Sequence, residues 1–115
     1  MITSKTKISP NFIQNAARIL KTLGHPQRIK IVEYLEDGEK PVSQIQRKLD
    51  LIQPIVSQHL KIMLDRGIVK YRQEGTRYYY SLANDFILKI LSCMSDAQEM
   101  ISKGEWTLEN FINSN

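Results

Sequence analysis

A single cysteine, Cys93, stands among the 115 residues, so no disulfide within the chain is available and the fold must rest on apolar packing. His25 and His59 are the only imidazoles, and neither has a second ligand near it in the sequence. No apolar run approaches the roughly 18 residues of a membrane span, and the start, MITSKTKISPNF, lacks the apolar stretch of a secretory signal. The expected compartment is therefore the cytosol, without a membrane partner. Also missing are a Gly-rich phosphate loop, a carboxylate pair on one helical face, and a Cys/His or Ser/His pairing at catalytic spacing. The chain is not expected to be an enzyme. With no internal repeat, low-complexity tract or Gly/Ser linker, residues 1–115 read as one domain.

What is present is an uneven charge. The formal net charge is +4, and residues 44–77 alone carry seven basic against three acidic side chains, also a net of +4. Residues 83–115 carry two basic against five acidic, a net of −3. A basic middle beside an acidic tail points to a polyanion-facing surface on one part of the molecule, although a solvated mixed surface gives the same counts.

Four prolines, at 10, 26, 41 and 54, punctuate the chain, and each reads as an element start. Ser9-Pro10 offers an N-cap and a first-turn proline, after which Phe12, Ala16, Ile19, Leu20 and Leu23 recur at helical spacing until Gly24. His25 then caps a second helix with Ile29, Ile31, Val32 and Leu35 on its apolar face. Pro41-Val42-Ser43 leads into a short third helix, with Ser43 as the expected N-cap and Ile45 and Leu49 inward. A fourth, over about 53–66, places Val56, Leu60, Met63 and Leu64 at i, i+4, i+7 and i+8 and stops at Gly67. Two helices joined by so short a turn make a helix-turn-helix candidate.

From Ile68 the pattern changes. IVKYRQ and RYYYSL flank Glu74-Gly75-Thr76 and read as a hairpin over about 68–82, with Lys70 and Arg72 on a basic side and Val69 and Tyr71 toward the core. The three consecutive tyrosines are expected to pack across the strands rather than to stack on bases. Asn84 or Asp85 then caps a helix over about 84–103, striped by Phe86, Ile90, Leu91, Met94, Ala97 and Ile101; Trp106, Leu108, Phe111 and Ile112 read as a further turn or two. The fold class is mainly α with a β-hairpin wing, in the order α-α-α-α-β-β-α.

LKTLGHPQRIKIVEYL and QPIVSQHLKIMLDRGIVKYRQEGTRYYYSL together resemble the winged helix-turn-helix regulators of the ArsR/SmtB family, over roughly residues 14–101. The first resembles the family's A-L-x-H/D-P-x-R-x-x-I-L pattern and the second its recognition helix and wing. One departure is Ile52, where the family commonly has a capping Ser or Thr. The resemblance implies a sequence-specific transcriptional regulator, a homodimeric repressor that binds double-stranded DNA at an imperfect palindrome.

A helix with Val56, Leu60, Met63 and Leu64 on the core turns Gln53, Pro54, Ser57, Gln58 and Lys61 outward. An α-helix fits the major groove, where Gln pairs with adenine and Ser with donors or acceptors; Gln53, Ser57 and Gln58 are the expected base readers and Lys61 a backbone contact. Arg72 and Arg77 in the wing are expected to neutralise phosphates. The resemblance implies dimerisation through the first and last long helices, by Phe12, Ile19, Leu20, Leu23, Phe86, Ile90, Leu91 and Met94.

The metal ligands known in this family do not stand in the chain. Pro41-Val42-Ser43 lies where thiolate sensors carry Cys-x-Cys, and the zinc-type positions counted from Asp85 hold Ile87, Gln98 and Ile101. No metal and no cofactor is expected, and the effector is unspecified. His59 is expected to be structural, with a phosphate contact when protonated as the alternative, and Cys93 to be a small buried hydrophobe. Two further readings are a winged helix turned into a protein-docking module, and a sensor with an unfamiliar metal site built from Asp85, Asp96 or Glu99 or a redox-sensitive thiol at Cys93.

Overall fold

The computed structural model describes residues 7–104 and Glu109. The chain divides after Ala83 into two compact units, each treated by itself. The first unit runs α1 (Pro10–Leu23), α2 (Pro26–Tyr34), β1 (Lys40–Pro41), α3 (Val42–Leu49), α4 (Gln53–Asp65), β2 (Val69–Glu74) and β3 (Arg77–Leu82). The second holds α5 (Asp85–Ser102). No helix among the described residues is long and apolar enough to cross a membrane. Trp106, Leu108, Phe111 and Ile112, expected to add a turn, lie outside the described residues.

Local chemistry sets the helix ends. Ser9 Oγ accepts from the Phe12 N–H at 3.2 Å, with Pro10 in the first turn of α1. His25 caps α2, its Nδ1 accepting from the Gln27 N–H at 3.1 Å. Ser43 does not cap α3: Val42 already opens the helix, because Lys40 and Pro41 are extended and pair with Tyr80 and Tyr79 of β3. That two-residue strand was not expected from the sequence, and it makes the wing a three-stranded antiparallel sheet in the order β1-β3-β2.

The turn from α3 to α4 takes only three residues. Asp50 adopts a left-handed conformation (φ 54°, ψ 49°), and its N–H and that of Leu51 close on the carbonyls of Arg47 and Gln46. Aspartate tolerates this region better than most side chains. Gly67, at φ 76°, ends α4 in the same way, with the Ile68 N–H on the Met63 carbonyl at 2.9 Å.

Ile31, Val32, Leu35, Ile45, Val56, Leu60, Met63, Ile68 and Val69 are buried and form the core of the first unit. Each such side chain contributes roughly 1.5–3 kcal/mol relative to exposure. Leu23 joins them at 7% exposure. Its helical period puts it on the expected pairing face, but the last turn of α1 rolls it inward with Thr22, whose carbonyl accepts from Arg28 Nη1 at 3.1 Å.

His59 is buried in this core at 9% exposure. Its Nδ1 accepts from Arg28 Nε at 3.3 Å, and its ring meets that of His25 edge-on at 4.6 Å. These contacts tie α4 to α2.

In β2 only Val69 is buried; Tyr71, expected to pack inward, is 48% exposed, because beyond Val69 the hairpin projects past the layer that could cover it. Tyr71 instead packs across the strands on Tyr78 and Tyr80, at 5.4 and 5.7 Å between ring centroids.

In the second unit, Asn84 Oδ1 accepts from the Phe86 N–H at 3.0 Å and Asp85 sits in the first turn, where the helix dipole favours an anion. Cys93 is exposed rather than buried, because the stripe it borders is itself exposed at Phe86 and Met94.

Burial holds the His59 imidazolium below its ordinary pKa of 6.5, with repulsion from His25 and Arg28 adding to the shift. On acidification the unfolded chain therefore takes up this proton before the folded one. The stability at stake is fully present above pH 6.5 and drains away as pH falls from there toward the folded value. Urea unfolding of the wild type and His59→Gln between about pH 7.5 and 5.5 checks this, the variant being expected to lose less stability over that window.

Candidate nucleic-acid interface

The two sides of α4 differ completely. Val56, Leu60, Met63 and His59 are buried, while Gln53, Pro54, Ser57, Gln58 and Lys61 are all exposed. Anchoring by the first set leaves the second no freedom to turn inward, as a slip of one residue would carry Val56 and Leu60 into water.

The outer surface of α4 has three strips. Gln53 and Ser57, one turn apart, flank the helix on the side of the wing and line a groove of about 450 Å³ shared with Pro41, Ser43, Gln46, Thr76, Arg77 and Tyr80. Pro54, Gln58 and Lys61 form the crest. On the far flank stands Ile55, 41% exposed, and Ile52, 63% exposed, precedes the helix at its N-cap.

Sequence reasoning did not assign Ile55 to the site. The signal was available, since it falls just outside the 3.6-residue stripe of Val56, Leu60 and Met63. The contributions of Ser43 and Gln46 were also missed, because they depend on how α3 lies beside β3. Ile52 occupies the N-cap of α4 (φ −74°, ψ 150°) without a side-chain hydrogen bond to the helix.

The wing turns at Gly75, where φ is 63° in a two-residue loop, the place at which glycine costs least. Arg77 follows, paired in register with Glu74. Neither Arg77 nor Lys61 takes part in an ion pair among the described residues.

Arg72 stands apart from the other expected DNA contacts. Its guanidinium meets the Glu39 carboxylate at 2.6–3.1 Å through Nε and Nη2, reaches Glu74 Oε2 at 2.7 Å, and lies 4.4 Å over the Tyr79 ring. The hydrogen bonds from Arg72 hold the Glu39 carboxyl below its usual range, and the two carboxylates push the guanidinium pKa up. One cation facing two anions leaves a local charge of −1.

Of the expected pairing residues, Phe12, Leu20, Phe86 and Met94 are exposed and Ile19, Ile90 and Leu91 are half-buried, whereas Leu23 belongs to the core. No group of three or more His, Cys, Asp or Glu suited to a metal exists among the described residues, and Glu99 pairs with Lys103 at 3.5 Å.

The model of the bacterial regulatory proteins of the arsR family matches residues 25–71, from the cap of α2 into β2. A biofilm growth-associated repressor of Agrobacterium fabrum is 37% identical over 78 residues, 68% of this chain and 67% of that protein. The transcriptional repressor PagR of Bacillus anthracis is 36% identical over 93 residues, 80% of this chain and 93% of its own. The solution structure of a homodimeric winged helix-turn-helix DNA-binding domain from Mycobacterium bovis, a possible ArsR-family regulator, superposes with a TM-score of 0.75 at 22% identity, over 90% of this chain and 95% of that one.

The uncapped start of α4 has a measurable cost. Ile52→Ser supplies the missing acceptor at an exposed site, and thermal or urea unfolding is expected to show a gain of about 1 kcal/mol.

Proposed function

The chain belongs to the ArsR family of bacterial regulatory proteins, and from that premise we propose that it is a homodimeric repressor of transcription whose α4 reads operator bases in the major groove. The observation that carries the reading is the exposure of Gln53, Ser57, Gln58 and Lys61 on a helix whose opposite side is locked in the core. Gln53 and Gln58 offer amides suited to adenine, and Ser57 a hydroxyl that takes either role. Lys61 and Arg77 neutralise phosphates on either side of the groove between α4 and the wing, fixing register rather than sequence.

The exposed apolar residues of α1 and α5, Phe12, Leu20, Phe86 and Met94, supply the surface for pairing two copies. The homodimeric domain from Mycobacterium bovis supports the pairing, and the repressors from Agrobacterium fabrum and Bacillus anthracis support the repressor reading. A two-fold dimer sets its recognition helices roughly 34 Å apart and calls for an imperfect palindrome. The work is done where the chromosome lies, in the cytoplasm.

Salt dependence of operator affinity tests the division of labour among the cations. Lys61→Gln and Arg77→Gln are each expected to flatten the log–log slope by about 0.9 for every phosphate left without its cation, or about 1.8 in a dimer. Arg72→Gln is expected to leave the slope nearly unchanged, its charge being already met by Glu39 and Glu74. A slope unaffected by Lys61→Gln and Arg77→Gln would remove these residues from the interface.

A further inference from the structure

We propose that Ile52 and Ile55 form a thymine-reading flank of α4, each packing on the C5-methyl of a thymine, so that each half-site must carry thymine where the start of the helix enters the groove. The inference rests on the DNA-binding reading above and deepens it.

Three observations converge on this pair. Ile52 stands at the N-cap and Ile55 in the first turn of α4, and they are 63% and 41% exposed. Neither is among the buried core residues, and Ile52 occupies a cap position without capping. An isoleucine there leaves the helix start weaker than Ser, Thr, Asp or Asn would, and its apolar side chain stays largely in water. Finally, the pair adjoins the turn that carries Gln53 and Pro54.

The chemistry of the occupant follows from that position. The major-groove edges of bases are lined with hydrogen-bonding groups, and thymine adds the apolar C5-methyl. Adenine, the partner of a Gln amide, pairs with thymine across the duplex. An apolar flank next to glutamines therefore suits neighbouring A·T pairs, the amide reading one strand and the isoleucine the methyl of a thymine. Two side chains are far too little for a stable protein interface, which needs about 800 Å² from each partner.

The test separates this inference from the reading beneath it. Duplexes selected by the full-length protein from a random pool are resynthesised with deoxyuridine replacing one half-site thymine at a time, which deletes only the methyl. One or two replacements per half-site are expected to weaken wild-type binding roughly four-fold, the factor that corresponds to ~0.8 kcal/mol for a methyl-sized group. Ile55→Ala and Ile52→Ser, both at exposed positions, are expected to bring the thymine-to-uracil ratio at their own position to about one. Ile52→Ser does so while melting at a higher temperature than the wild type, which excludes loss of folding as the cause.

A selected site without thymine in its half-sites, equal wild-type affinity for the two bases, or a ratio unchanged in the variants overturns the inference while operator binding stands. Variants that lose affinity equally on both duplexes also overturn it, assigning the isoleucines to another partner. Failure to recover any duplex overturns both readings.

Discussion

The architecture depends on the burial of one side of α4. Val56, Leu60 and Met63 are withdrawn from water against the core residues of α2, α3 and β2, and His59 adds a polar tie through Arg28 and His25. These contacts leave a single rotation open to the helix. The outward direction of Gln53, Ser57, Gln58 and Lys61 is thus a consequence of packing on the opposite side. A reading surface of this kind gains precision from the rigidity of the element that carries it, and α4 is fixed at both ends: by the Asp50 turn before it and the Gly67 turn after it.

Charge on the wing is arranged more economically than its composition suggests. Basic residues crowd the middle of the chain, yet Arg72 is held by Glu39 and Glu74 and stacked on Tyr79. It braces the hairpin and links it to the segment before β1. Lys61 and Arg77 make no ion pair among the described residues, one on the helix crest and the other beside the turn. Exposed ion pairs of this kind are individually weak, so Arg72 is better understood as positioning the wing than as stabilising the fold.

Much of this was legible from local pattern. Periodicity located the five helices of the described residues, Pro marked the start of the first four and Gly24 and Gly67 the ends of two, and the switch to alternating aromatic and β-branched residues located the hairpin. What escaped the sequence was long-range. The pairing of Lys40–Pro41 with β3 joins residues almost forty positions apart, and no two-residue run announces itself as a strand. Arg72 finds Glu39 across 33 positions, which no spacing rule reveals. Leu23 belonged by its period to an exposed stripe, and only the docking of Arg28 on the end of α1 shows it to be core. The outer face of α4 was readable because its inner stripe was; Ile55 was passed over because an isoleucine beside a core stripe invites assignment to the core.

On this reading the outer face of α4 meets the bases. An NMR titration of the full-length protein with its selected duplex addresses it most directly. The side-chain amide signals of Gln53 and Gln58 and the backbone amide of Ser57 are expected to shift from the first additions, while the methyl signals of Val56 and Leu60 on the buried side stay near their free positions. Saturating perturbations confined to α1 and α5, with the α4 amides unmoved, would contradict the account.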